Sequence, residues 1–196
     1  MIGALTGAAA AGVAVLAMLH WLPQPPGRLL LAGSAVVTGC AAAIMVGQSG
    51  LWPLLGISLT AAAVSWHDGL TQRIPDTLTA VTGAVVIVAA ILAGGGLQEW
   101  GDAVLASAVL AGGYLLLALF GSMGLGDVKY AIPLGFSLGW SSWAAVWQAT
   151  LLTFLIGAIY AVIMMIRGRS IHTHVAFGPF LAIGGVLTGV LTGLTQ

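Results

Sequence analysis

Residues 143–166 read WAAVWQATLLTFLIGAIYAVIMMI, without a charged side chain between Trp143 and the residue before Arg167. About 20 predominantly apolar residues cross a bilayer as one helix, so this stretch predicts a transmembrane span. The same pattern recurs outward from it. Apolar segments run at roughly 2–19, 29–47, 51–66, 77–95, 103–120, 126–140 and 175–194, which with 143–166 makes eight. The linkers between them are brief, and the first carries Pro23, Pro25 and Pro26. Met1 to His20 has no Lys or Arg ahead of its apolar run, so it reads as a retained helix and not as a signal peptide.

Composition agrees. The 196 residues are 60% hydrophobic and 5% charged, with a mean hydropathy of +1.10. Soluble domains carry about 25% charged residues, so the solvent for this chain is lipid. Its 29 glycines suit a bundle in which small residues let helices approach closely. Gly185, Gly189 and Gly193, four apart, predict such packing within the chain. Net charge is zero and no basic patch is present, which excludes nucleic acid as a partner class. Cys40 is the only cysteine, so an intrachain disulfide and a Cys-x-x-Cys zinc site are excluded. It reads as a small packed residue.

The charges set an orientation. Arg28, Arg73, Lys129, Arg167 and Arg169 fall in or beside alternate loops, whereas Glu99 and Asp102 fall in an intervening one. Positive loops stay cytoplasmic, so both termini are expected outside. The fold class is therefore all-α: a polytopic membrane helix bundle of eight spans, one domain over residues 1–196.

Acids near a bilayer are costly and suggest function. Glu99 and Asp102 read as solvated loop charges. Asp68, Asp76 and Asp127 all fall on the cytoplasmic side. Asp127 follows Gly124 and Gly126, whose bare backbone can take positive φ and admit an approaching chain. A capping role for Asp127, with Lys129 snorkelling to the interface, is the alternative. Asp68, in His67-Asp68-Gly69, reads as a loop residue after a helix, raised in interest by Asp127 on the same side. Two facing carboxylates share a proton, so one can activate water while the other protonates a carbonyl oxygen. Asp76 after Pro75 reads as an N-cap, and Arg73 as a headgroup anchor. His67 reads as a headgroup contact or a neighbour that tunes the acids. His172 and His174 form a His-x-His pair with no evident third ligand, so no metal site is expected. No nucleophile elbow and no zinc-protease helix motif occurs.

The Gly-x-Gly-Asp-x-Lys string from Gly124 to Lys129 resembles the hallmark of type IV prepilin peptidases, the GxGD aspartyl proteases. The stretch Asp68-Gly-Leu-Thr-Gln-Arg-Ile-Pro75-Asp76 resembles their first-aspartate motif, and Phe177-Gly178-Pro179-Phe180 their final-helix motif. The resemblance covers residue 50 to the end. It implies an aspartic endopeptidase with Asp68 and Asp127 as catalytic dyad. Gly124, Gly126 and Lys129 would shape the active-site loop, and Pro75, Asp76, Gly178 and Pro179 would be structural. The substrate implied is a prepilin or pseudopilin-like precursor, cut at the cytoplasmic face of the inner membrane, with no cofactor. Larger members of that family carry paired zinc-binding Cys-x-x-Cys motifs and N-methylate the product. Residues 20–28 occupy the corresponding position without a cysteine, so the resemblance implies a peptidase-only form that does not use S-adenosylmethionine. Alternatives are a protease of the presenilin or signal-peptide-peptidase type, whose Tyr-Asp and Pro-Ala-Leu strings do not occur, a small transporter, and a non-catalytic assembly subunit.

Overall fold

Most helix boundaries fall where the apolar runs meet glycine, proline or charge, and one falls at the serine pair Ser141–Ser142, where the Ser142 hydroxyl caps the next helix. The computed structural model describes residues 28–120, 123–168 and 176–195, with side chains from residue 36 on. The expected span at 2–19, residues 20–27 of the first linker and the His172–His174 pair lie outside the described residues. Seven α-helices are present among the described residues: α1 (Arg28–Met45), α2 (Trp52–Thr71), α3 (Asp76–Ala93), α4 (Leu97–Leu119), α5 (Leu125–Ser141), α6 (Trp143–Ile166) and α7 (Gly178–Thr195). A 3-10 turn at Ser49–Leu51 leads into α2, and no strand occurs among these residues. Five helical segments are long and apolar enough to cross a membrane, the first of them taking in the 3-10 turn with α2 and the others being α3, α4, α6 and α7.

Two expected boundaries move. The helix expected to end at residue 66 continues to Thr71, so His67 and Asp68 are helical and not loop residues. It closes on Gln72, which has φ 53° and donates its N–H to the Asp68 carbonyl at 2.8 Å. The helix expected from 103 begins at Leu97. Glu99 is therefore exposed as expected, but in the first turn of a helix and not in a loop. It accepts from the Gly96 N–H at 2.9 Å, the one half of a capping box that a glycine N-cap allows. Asp102 accepts from Trp143 Nε1 at 3.1 Å and ties α4 to α6.

The most buried helix is α5. Almost every residue from Asp127 to Trp140 is enclosed, by α2, α3, α4, α6 and α7. Glycine makes this possible. A Cβ at Gly135 would lie 2.8 Å from Ser107 Cα, and one at Gly139 would strike Ala106 and Ala103. The seam between α4 and α5 is thus backbone against backbone, the small-residue contact that close helix packing in lipid requires. Pro133 sits inside the unbroken α5, and Ser107 Oγ donates to the adjacent Ile132 carbonyl at 2.9 Å. The glycine stripe of α7 does pack within the chain. Gly185 faces Leu134 and Ile57, Gly189 faces Met45, and Gly193 faces Ile44 and Leu51. Cys40 is the exception to the packing expectations: it is exposed on α1, because the helix turns Thr38, Ala41 and Met45 inward instead.

Short connections make successive helices run in opposite directions. The end of α2, the starts of α3, α5 and α7, and Arg73, Lys129 and Arg167 therefore gather at one end. Glu99 and Asp102 sit at the other, where Gln48 Nε2 donates to the Gly193 carbonyl at 3.0 Å and Ser141 Oγ to that of Gly50 at 3.1 Å.

Candidate active site

Three helix ends meet at the basic end of the bundle: the last turn of α2 and the first turns of α5 and α7. Asp68 projects from the first, Asp127 from the second. Both carboxylates are buried, Asp68 3% and Asp127 7% exposed, a placement that a charged group tolerates only with partners. Each has a backbone donor. Asp68 Oδ2 accepts from the Gly178 N–H at 2.8 Å, and Asp127 Oδ2 accepts from the Gly124 N–H at 3.2 Å. The second oxygen of Asp127 is buried with no hydrogen-bond partner. A buried carboxylate oxygen left open costs free energy unless something fills the site, and a water or a substrate group is the chemistry it fits.

Both aspartates line one crevice of about 360 Å³, together with Gln72, Arg73, Ile74, Asp76, Gly124, Gly126 and Lys129. The two residues expected to act as a pair are thus brought to one space. Asp127 is the third residue of α5, with Gly124 as N-cap. It caps its own helix by accepting from Gly124, so the capping and functional readings describe the same carboxylate.

The glycines act differently from expectation. Gly124 has φ −77°, and the positive-φ glycines among the described residues are Gly94 and Gly168. What Gly126 supplies is space: a Cβ there would lie 3.1 Å from the Ile74 nitrogen. The bare backbone of Gly126 is therefore covered by this chain's own loop. Ile74 itself was not singled out by sequence. It is 5% exposed and wedges between Gly126 and Gly178, with its Cδ1 3.1 Å from where a Gly178 Cβ would stand. One apolar residue in a polar loop was the available signal.

Gly178 packs directly against Asp68. A Cβ on it would sit 2.7 Å from Asp68 Oδ2, so only glycine leaves room for the carboxylate on its N–H. Pro179 follows within the first turn of α7, where the missing N–H costs nothing. Asp76 is the first residue of α3 and not its N-cap. Pro75, at φ −63° and ψ 143°, takes the cap position and frees the Asp76 side chain to reach across the crevice mouth. There Asp76 Oδ1 accepts from Lys129 Nζ at 2.6 Å, so Lys129 pairs with an acid. His67 Nδ1 lies 3.0 Å from the Arg73 carbonyl and 3.0 Å from Thr71 Oγ1, holding the loop that carries Ile74. Arg73 is exposed. Among the described residues no group of three or more His, Cys, Asp or Glu side chains is placed to hold a metal ion.

Residues 54–165, which include both aspartates but stop short of Gly178, match the model of the type IV leader peptidase family. The chain is similar to the prepilin leader peptidase/N-methyltransferase of Burkholderia pseudomallei strain K96243, with 33% identity over 174 residues, 81% of this chain and 52% of that protein. It is similar over a shorter stretch to the protein of the same name from Pseudomonas aeruginosa, 42% identical over 64 residues, 32% of this chain and 21% of that one. Leader peptidase HopD of Escherichia coli is 33% identical over 84 residues, 42% of this chain and 52% of its own length. The chain spans about half the length of the Burkholderia relative it matches, and no solved structure matches it. By this match over more than half of its residues, the chain belongs to the type IV leader peptidase family.

Proposed function

We propose that this protein is an aspartic endopeptidase that removes the leader of a prepilin or pseudopilin-like precursor, with Asp68 and Asp127 as its catalytic dyad. The observation that carries the reading is the pair of buried carboxylates on one crevice at one end of the bundle. In the proposed step a water between them adds its oxygen to the scissile carbonyl carbon. One carboxylate takes the water's proton, and the other, protonated at the start, hydrogen-bonds the carbonyl oxygen. Collapse of the tetrahedral intermediate breaks the carbon–nitrogen bond and the amine leaves protonated. Gly178 and Gly124 hold the two side chains through their N–H groups, Gly126 and Ile74 form the floor, and Lys129 with Asp76 flanks the entrance. Pro75 and Pro179 start the two helices that frame it.

The membrane arrangement belongs to the same proposal. The described helices plus a span before residue 28 make eight, in a single domain of the inner membrane, with both termini outside and the crevice at the cytoplasmic face. The gathering of Arg73, Lys129 and Arg167 at the crevice end supports that orientation. A co-expression assay tests the activity. Wild type, Asp68→Asn and Asp127→Asn are each paired with pilin-like precursors, and a leader-sized mobility shift is followed. A shift in wild type alone supports the dyad; processing that survives both substitutions rejects it.

A further inference from the structure

We propose that the apolar groove between α3 and α5 seats a transmembrane helix of the substrate itself; the inference rests on the proteolytic reading above. The groove has a volume of about 420 Å³, with Ala80, Gly83 and Ile87 on one wall and Ile132, Pro133 and Phe136 on the other. Its upper end is formed by Asp76 and Lys129, and the same two residues line the aspartate crevice. The two spaces therefore adjoin at one ion pair, which places the apolar groove next to the crevice that holds the carboxylates.

The occupant follows from the walls. Ala80 and Gly83 both line the groove with little side-chain bulk, so a second helix can approach this stretch of α3 closely. A Cβ at Gly83 would meet no atom within 4 Å, so this chain leaves that space open. Gly83 lies about 10 Å below Asp76 along α3, at 1.5 Å per residue, so a seated helix would be embedded by two turns before it reached the charged mouth. Within lipid a helix satisfies its own backbone bonds, and water cannot attack a carbonyl held that way. Where the apolar walls give way to Asp76 and Lys129, the segment can unwind and be hydrated. What the groove adds to the proteolytic reading is a place, the α3–α5 face, at which the apolar helix of that precursor is held.

A second lateral groove serves as the comparison. It lies between α1, α2 and α7, about 250 Å³ in volume, with Thr38, Ser58, Ala62 and Ile183 among its walls, and it shares no residue with the crevice. A photocrosslinking amino acid is placed at Gly83 or at Ile183 in an Asp127→Asn protein, co-expressed with a precursor that retains its apolar segment. An adduct with the precursor from position 83 and none from 183 is the expected result. Adducts from 183 alone, adducts with lipid alone, or no adduct from 83 overturn the proposal. In a separate arm Gly83→Leu, whose Cβ meets no atom within 4 Å and whose longer side chain would fill the groove, should lower cleavage of the same precursor by roughly tenfold or more, the scale of a displaced apolar contact. If wild type cleaves and Gly83→Leu matches it, the groove is wrong and the peptidase stands. If wild type cleaves no precursor, the proteolytic reading falls and takes this one with it.

Discussion

The N–H of Gly178 donates to Oδ2 of Asp68 at 2.8 Å across 110 residues of sequence, joining the last turn of α2 to the first turn of α7. The Cβ of any other residue at 178 would intrude on the carboxylate, at 2.7 Å from the accepting oxygen. Gly178→Ala is therefore expected to displace Asp68. A misplacement on the ångström scale costs roughly 100-fold in rate, whereas overpacking at one methyl costs about 1–3 kcal/mol of stability. Cleavage should collapse while the protein still extracts as a folded species. Wild-type cleavage by Gly178→Ala would show that this contact does not position the acid.

That contact also marks the limit of what sequence discloses. Helix α6 was legible at both ends, 143 and 166, because Trp143 and Arg167 bound an uninterrupted apolar run. Helix α4 was not, since Glu99 and Asp102 look like loop charges to any hydropathy reading. The Gly96-x-x-Glu99 spacing was the local signal that they start a helix. The pairing of Asp68 with Asp127 came from shared topology and motif resemblance. Gly178 on Asp68, Ile74 against Gly126 and Lys129 on Asp76 depend on contacts far apart in sequence, for which no periodicity exists.

Lys129 and Asp76 form an ion pair with side chains 52% and 76% exposed. Pairs so open to solvent contribute about 0–1 kcal/mol and are screened by salt. A double-mutant cycle with Lys129→Met and Asp76→Asn, read by denaturant unfolding in detergent, should give a coupling below about 1 kcal/mol that shrinks as salt rises. A coupling of several kcal/mol would mean that the pair holds the bundle together and does not merely flank the crevice.

The glycines divide into those that pack and those that do not. Gly139 on α5 abuts Ala106, Ala103 and the Asp102 carbonyl, while Gly112 on α4 has nothing within 4 Å. Gly139→Val is expected to destabilise by about 1–3 kcal/mol or more through overpacking. Gly112→Ala should be neutral or gain up to about 1 kcal/mol from helix propensity. Thermal unfolding of the two variants in one detergent compares them directly. Equal behaviour would contradict the close α4–α5 seam.

The proposed orientation predicts which face of the membrane each loop meets. Arg73 is exposed in the loop beside the crevice, and Gln98 is exposed at the opposite end, in the first turn of α4. Positive residues remain cytoplasmic because translocating them is disfavoured, and Arg73, Lys129 and Arg167 share the crevice end. In a Cys40→Ala background, Gln98→Cys should react with an impermeant maleimide added to intact spheroplasts. Arg73→Cys should react only after the membrane is opened. Neither side chain hydrogen-bonds an aspartate, and the readout is labelling and not cleavage, so the lining position of Arg73 on the crevice does not affect the comparison. Labelling of Arg73→Cys from outside, with Gln98→Cys protected, would invert the bundle and place the carboxylates away from a cytoplasmic leader.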